Sequence, residues 1–187
     1  MEAIDSHWTV KQAIKDFYAR NNFGEDGGIN EKWAWIKFGF FSMPIPNTEA
    51  RRKNIYMHDV SHIVTGFDTN WKGESAVSAW EIASGGWGKA YLLWLLSLWA
   101  MGLGVVFYPT QVLKAFRKGL TMRNAFTSGL SKEEIFTLSL SDLRSRLSNQ
   151  PVIKSDPWGW MAVSLLVFLS PLITTGVVVF ILLNSVL

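Results

Sequence analysis

Two histidines four residues apart, in the run His58-Asp59-Val60-Ser61-His62, leave one face of a helix a turn apart, so both imidazoles can reach a single ion. Asp59 lies about 100° further round such a helix, close enough for its carboxylate to swing to the edge of that site. Eleven residues then separate His62 from Glu74. The connector from Ile63 to Trp71 carries Gly66, Asp68 and Asn70, with Gly73 just beyond, a pattern of helix stop, turn and restart. It predicts that Glu74 returns in the first turn of a second helix, facing the first. Two imidazoles and two carboxylates suit a borderline divalent ion such as zinc, and the absence of cysteine excludes a thiolate site. The same pair of histidines could instead be core residues bonded to backbone carbonyls, and the internal glutamate that serves as a base in HExxH is missing.

On the second helix Glu74, Val77, Ser78 and Glu81 share a face, and Glu81 could either hold the free ring nitrogen of a ligand histidine or stand at the surface. Trp80 is expected to pack, and Gly85-Gly86 to end the helix. Upstream, Met43-Pro44-Ile45-Pro46 closes whatever precedes it, because each proline biases its predecessor away from helix. Asn47 is the expected N-cap of the histidine helix, with Glu49 in its first turn. Arg51, Arg52 and Lys53 read as a solvated or headgroup-facing patch, with a clamp for an anionic substrate as the alternative.

His58, Asp59, His62 and Glu74, with Thr65-Gly66, Gly73-Glu74 and Trp80-Glu81 around them, resemble the signature of the coenzyme Q biosynthesis protein 4 family. Ser141 to Leu147 resembles the short leucine-arginine helix with which bacterial members finish, so the likeness covers about Asn47 to Leu147 and is strongest over 58–81. The resemblance implies an all-α fold with His58, Asp59, His62 and Glu74 as metal ligands, zinc being the usual ion. It also implies a membrane location, binding of an isoprenoid quinone precursor, and a part in removing the C1 carboxylate of its ring and hydroxylating that carbon, or in organising the enzymes that modify the ring.

The remaining elements would position this site in a single helical core, which 187 residues can build. Thr9 is placed to cap a helix to about Arg20, with Val10, Ala13, Ile14, Phe17 and Tyr18 on its apolar face. The cluster 21–28 reads as a solvated turn or, alternatively, an active-site rim, since its acids do not fit a twelve-residue calcium loop. From Glu31 to Phe41 the aromatic residues Trp33, Trp35, Phe38, Phe40 and Phe41 fit either a strand or an interfacial helix, and Lys32 and Lys37 among them suit a membrane surface or a core edge. A net charge of +3 with ten Trp and twelve Phe argues against nucleic acid and for lipid or a buried apolar partner. No signal peptide is read at the start, where Met1 to Trp8 is polar.

Two uncharged runs follow. Ala90 to Tyr108 is just long enough to cross a membrane but also suits a core or re-entrant helix, whereas Trp158 to Leu187, with Trp158 and Trp160 as interfacial anchors and Pro171 as a kink, is expected to cross over 160–185. Such a tail departs from the family pattern. The division is therefore a helical domain over 1–156, including 90–108, and a C-terminal transmembrane helix over 157–187. Between the runs, 109–157 carries eight basic residues against four acidic, led by Lys114, Arg117, Lys118 and Arg123, which places it in the cytoplasm by the positive-inside tendency. If 90–108 crossed, residues 1–89 and the metal site would lie outside, and the charges of 1–89 do not choose. The resemblance favours 90–108 not spanning, with the main domain on the cytoplasmic side of a bacterial inner membrane.

The leading expectation is an all-α, membrane-associated protein whose divalent metal acts on, or whose apolar helices present, an isoprenoid quinone precursor or another membrane lipid. Four protein ligands would close a tetrahedral ion to substrate, unless one moves aside, coordination expands, or the ion is structural. Two rivals stand beside it: a non-enzymatic lipid-binding scaffold or accessory subunit of a larger membrane complex or homo-oligomer, and a metal-dependent lipid hydrolase with Glu74 or Asp59 as base.

Overall fold

The structure, a computed structural model, describes residues 4–37, 42–148 and 150–186. It is mostly helical, 64% helix against 5% strand, which settles the class as predominantly α, with one two-stranded sheet among the described residues. Helix α1 (Val10–Asn21) starts at Thr9 in a capping box with Gln12 and buries Val10, Ala13, Ile14, Phe17 and Tyr18, the face that the spacing predicted. Asn22 ends it in the left-handed conformation.

The ambiguous aromatic stretch is a strand. β1 (Trp33–Lys37) pairs antiparallel with β2 (Ser42–Pro46), Trp33 opposite Pro46 and Trp35 opposite Pro44. The proline-rich segment therefore does not merely stop what precedes it but forms one edge of a two-stranded ribbon, a place where a missing N–H is tolerated. Trp33 and Trp35 are exposed, and the expected Phe38, Phe40 and Phe41 lie outside the described residues.

Helix α2 (Glu49–Thr65) carries both histidines. Its cap is Thr48, whose side chain accepts from the Arg51 N–H, and not the expected Asn47. Asn47 is buried and tied elsewhere: its amide donates to the carbonyls of Gly28, Ile29 and Glu31, and its oxygen accepts from Arg51. Arg51 is thereby half-buried, while Arg52 and Lys53 remain exposed. Gly66 stops α2 at φ 78°, and Asn70 caps α3 (Trp71–Ala83) by accepting from the Gly73 N–H. A side chain on Gly73 would collide with the Asp68 carbonyl, so the turn closes only over a glycine.

Helix α4 (Tyr91–Phe107) is the mid-chain apolar run, and it is a packed helix. Gly102 and Gly104, about 200° apart around it, serve opposite neighbours. Gly104 meets Ser75 of α3 and Val112 of α5 (Pro109–Gly119), whereas Gly102 lies against the backbone of Ser164 in α8 (Pro157–Val186). Two short helices, α6 (Lys132–Thr137) and α7 (Leu140–Leu147), start at the serine caps Ser131 and Ser139 and close the core over α1 with Ile135, Leu140, Leu143 and Leu147.

Helix α8 has two halves. Its first turns dock on α4, with Trp160 stacked on Trp94 at 5.6 Å and Phe168 against Trp99 at 5.3 Å. Trp160, expected as an interfacial anchor, is thus part of the body, and its indole donates to Ser155. From Ser170 onward every side chain described is exposed, Leu172, Phe180 and Leu183 at 69%, 67% and 63%. The helix continues through Pro171, and the Val167 carbonyl that proline cannot bond accepts instead from the Ser170 hydroxyl at 2.8 Å. Over Pro157–Asn184 the helix is long and apolar enough to cross a membrane.

Candidate metal centre

Helices α2 and α3, joined by the tight Gly66–Asn70 turn, bring His58, His62 and Glu74 together, one ligand atom of each lying within 4.8 Å of the others. The two Nε2 atoms are 3.2 Å apart, and Glu74 reaches His58 Nε2 with Oε2 at 3.3 Å and His62 Nε2 with Oε1 at 3.5 Å. Ligand bonds of about 2.0–2.1 Å in tetrahedral array separate neighbouring donors by about 3.3–3.4 Å, a spacing of the same order as these contacts, so the group could hold a metal ion.

Each imidazole is held from behind. His58 Nδ1 meets both oxygens of Glu81, at 3.0 and 3.2 Å, and His62 Nδ1 donates to the Phe67 carbonyl at 3.0 Å when its Nε2 is free to ligate. Glu81 is fully buried, so it is not the surface acid of one expectation, and it holds the Nδ1 side of His58 as the other expected. His62, 1% exposed, also stacks on Phe17 at 5.6 Å. The side chains of His58 and Glu74 stay 20% and 27% exposed, leaving the centre open on one side.

Asp59 does not join this group. Its position round the helix turns it toward α1, where it accepts from the Tyr18 hydroxyl at 2.8 Å. Burial raises the Asp59 carboxyl, although the neighbouring His58, the Tyr18 hydrogen bond and His62 pull it down. Burial and Asp59 together raise the Tyr18 phenol. With Asp59 committed, three side chains face the common point, and a tetrahedral ion held by them keeps one position for another ligand.

Electrostatics favour a cation at that point. Burial pushes the Glu74 carboxyl up, but His62 and His58 more than reverse this and hold it at about 2. For His58, burial acts downward, yet Glu81 and Glu74 outweigh it, so the imidazole keeps a proton well above its ordinary range. Two carboxylates facing one imidazole leave room for positive charge, whether a proton or a divalent ion carries it.

Three contributors escaped the spacing argument: the Phe67 carbonyl, Tyr18 and Arg144. Arg144, in the leucine-arginine segment of α7, donates to the carbonyls of Ile63 at 2.7 Å and Val64 at 3.0 Å, closing the C-terminal turn of α2 around His62. Only the arginine-rich composition of that helix pointed to it. Compared with protein-family models, curated proteins and solved structures, the chain matches none.

Proposed function

We propose that this chain is a membrane-anchored metal-binding protein of the quinone-biosynthesis type, in which His58, His62 and Glu74 act on the oxygen-bearing head of an isoprenoid precursor. The observation that carries the reading is the three-donor triangle with both histidines oriented from behind, open on the side of His58 and Glu74. A divalent ion held there, zinc being the proposed one, supplies a Lewis acid toward a carboxylate or phenolate oxygen of the ring. Glu81 keeps His58 in the tautomer whose Nε2 is free, the Phe67 carbonyl does the same for His62, and Phe17 fixes the plane of His62. The apolar length of α8 supports membrane anchoring, and the basic excess of 109–157 supports a cytoplasmic main domain on a bacterial inner membrane.

The test pairs two measurements on Glu74→Gln and wild type in detergent: decarboxylated product from a carboxylated isoprenoid precursor, and thermal stability with metal content. Turnover falling by orders of magnitude while the melting temperature holds supports the catalytic reading. Full turnover by metal-free Glu74→Gln protein would refute it.

A scaffold subunit is the second reading, favoured by one observation: the triangle links α2 to α3, and His62 and Glu81 are buried at the joint. A structural ion predicts that metal content and melting temperature fall together. The hydrolase reading needs a free carboxylate beside the centre, whereas Asp59 and Glu81 are each bound to another side chain.

A further inference from the structure

Contacts along the helices give the centre a depth. Trp94 meets Trp160, and Trp99 with Gly102 meets Ser164 and Phe168, so α4 and α8 run in the same direction. Both cannot cross a membrane side by side, because the link between the end of α4 and the start of α8 carries eight basic and four acidic residues and would have to return through the lipid. The α8 half that is exposed all round therefore extends past the end of α4 at Phe107. Helix α3 runs opposite to α4, with Gly86 at Trp94 and Ser75 at Gly104. The start of α3, with Glu74, lies at the same end as Phe107, and Gly104 is only about 4.5 Å of helix from Phe107.

We propose that this end of the bundle is a lipid-docking surface, seated on the headgroups of a bilayer that the distal half of α8 enters, so that His58, His62 and Glu74 stand within a turn or two of the membrane surface. The proposal rests on the membrane reading of α8 and adds which face meets the lipid and how deep. Val106 and Phe107 are exposed there, at 47% and 63%. Lys72, in the first turn of α3 at this same end, is exposed and available to lipid phosphates. The rings of Trp71, Trp99 and Phe168 form an unbroken series, at 5.8 and 5.3 Å, from the turn that carries Glu74 to the point where α8 leaves the body. A substrate with a prenyl tail could then offer its head to the centre while the tail stays in the bilayer.

The chain has no cysteine, so single labels report without background. Leu92→Cys, Phe107→Cys and Leu183→Cys, all at exposed positions, each take an environment-sensitive dye on full-length protein in phosphatidylcholine–phosphatidylglycerol vesicles, after circular dichroism has matched wild type. The expected result is a dye at 183 that loses most of its emission to a quencher deep in the acyl chains. The dye at 107 should lose most of its emission to a quencher near the headgroups, and the dye at 92 to aqueous iodide alone. Lipid quenching at 183 without any at 107 overturns the docking surface but leaves the anchor standing. Lipid quenching at 183, 107 and 92 together overturns the end-on placement, because α4 would then lie along the bilayer. Absence of lipid quenching at 183 overturns the membrane reading and the proposal with it.

Discussion

Glu81 grips His58 with both carboxylate oxygens, at 3.0 and 3.2 Å from Nδ1, from a position sealed from solvent. A carboxylate in that role fixes the ring and raises its basicity as a ligand. Glu81→Ala is expected to weaken metal affinity by about 10- to 100-fold, with Glu81→Gln falling between it and wild type, because an amide oxygen still accepts from Nδ1 but brings no charge. Titration with a competing chelator measures this. Equal affinity in all three proteins would contradict the role.

Asp59 and Glu74 should separate cleanly. Glu74→Gln removes a ligand and is expected to lower bound metal below one equivalent. Asp59→Asn is expected to keep full metal stoichiometry. Tyr18→Phe, which leaves a buried carboxylate without its donor, should destabilise the fold by about 1–3 kcal/mol without loss of metal. Elemental analysis and urea unfolding on the same preparations decide the matter, and loss of metal from Asp59→Asn would restore Asp59 to the ligand set.

The contrast between these two acids shows where the sequence was readable. The cap at Thr9, the stop at Gly66 with the restart before Glu74, and the buried face of α1 depend on neighbours within a turn or two, and each stands where spacing put it. Glu81 was reachable because it shares a helix face with Glu74. The partner of Asp59 is 41 residues away on another helix, and nothing local specifies how α1 crosses α2. Asn47 failed for a related reason: it satisfies the general preference for a cap, but three carbonyls of the 28–31 turn compete for its amide. The aromatic stretch at 33–37 was undecidable because its pairing partner, 42–46, is rich in proline and reads as a terminator.

Arg144 closes the last turn of α2 across a gap of 80 residues, donating to the Val64 and Ile63 carbonyls. Arg144→Met keeps much of the side-chain volume but leaves those acceptors without a charged donor, and a loss of about 1–3 kcal/mol is expected. Since His62 lies in the same turn, metal affinity should fall as well. Unfolding by urea reads the first effect and metal titration the second.

Acid–base linkage gives a prediction on the metal-free protein. His58 ordinarily titrates near 6.5 and is raised in the fold, so the stability it contributes is fully present below 6.5 and lost as pH climbs through its folded value. Metal-free protein should therefore lose melting temperature on the alkaline side. Metal-loaded protein needs a neutral His58 and should lose none from this group. The gap between the two melting curves is expected to widen as pH rises from 6.5, and a constant gap would show that His58 is not the group concerned.

The close seating of α8 on Gly102 also bears on how the chain is made. The α4 surface around Trp94 and Gly102 leaves the ribosome about 65 residues before its cover at Trp160 to Phe168, which at roughly 5–20 residues per second is an interval of several seconds. During that time the face of α4 that α8 will cover, on an uncharged helix of seventeen residues backed by α3, is presented to whatever surrounds the nascent chain. Insertion machinery or a holding chaperone that engages that face must release it again before α8 can dock, so the seam between α4 and α8 closes after the contact of α4 with α3, which precedes it in the order of synthesis.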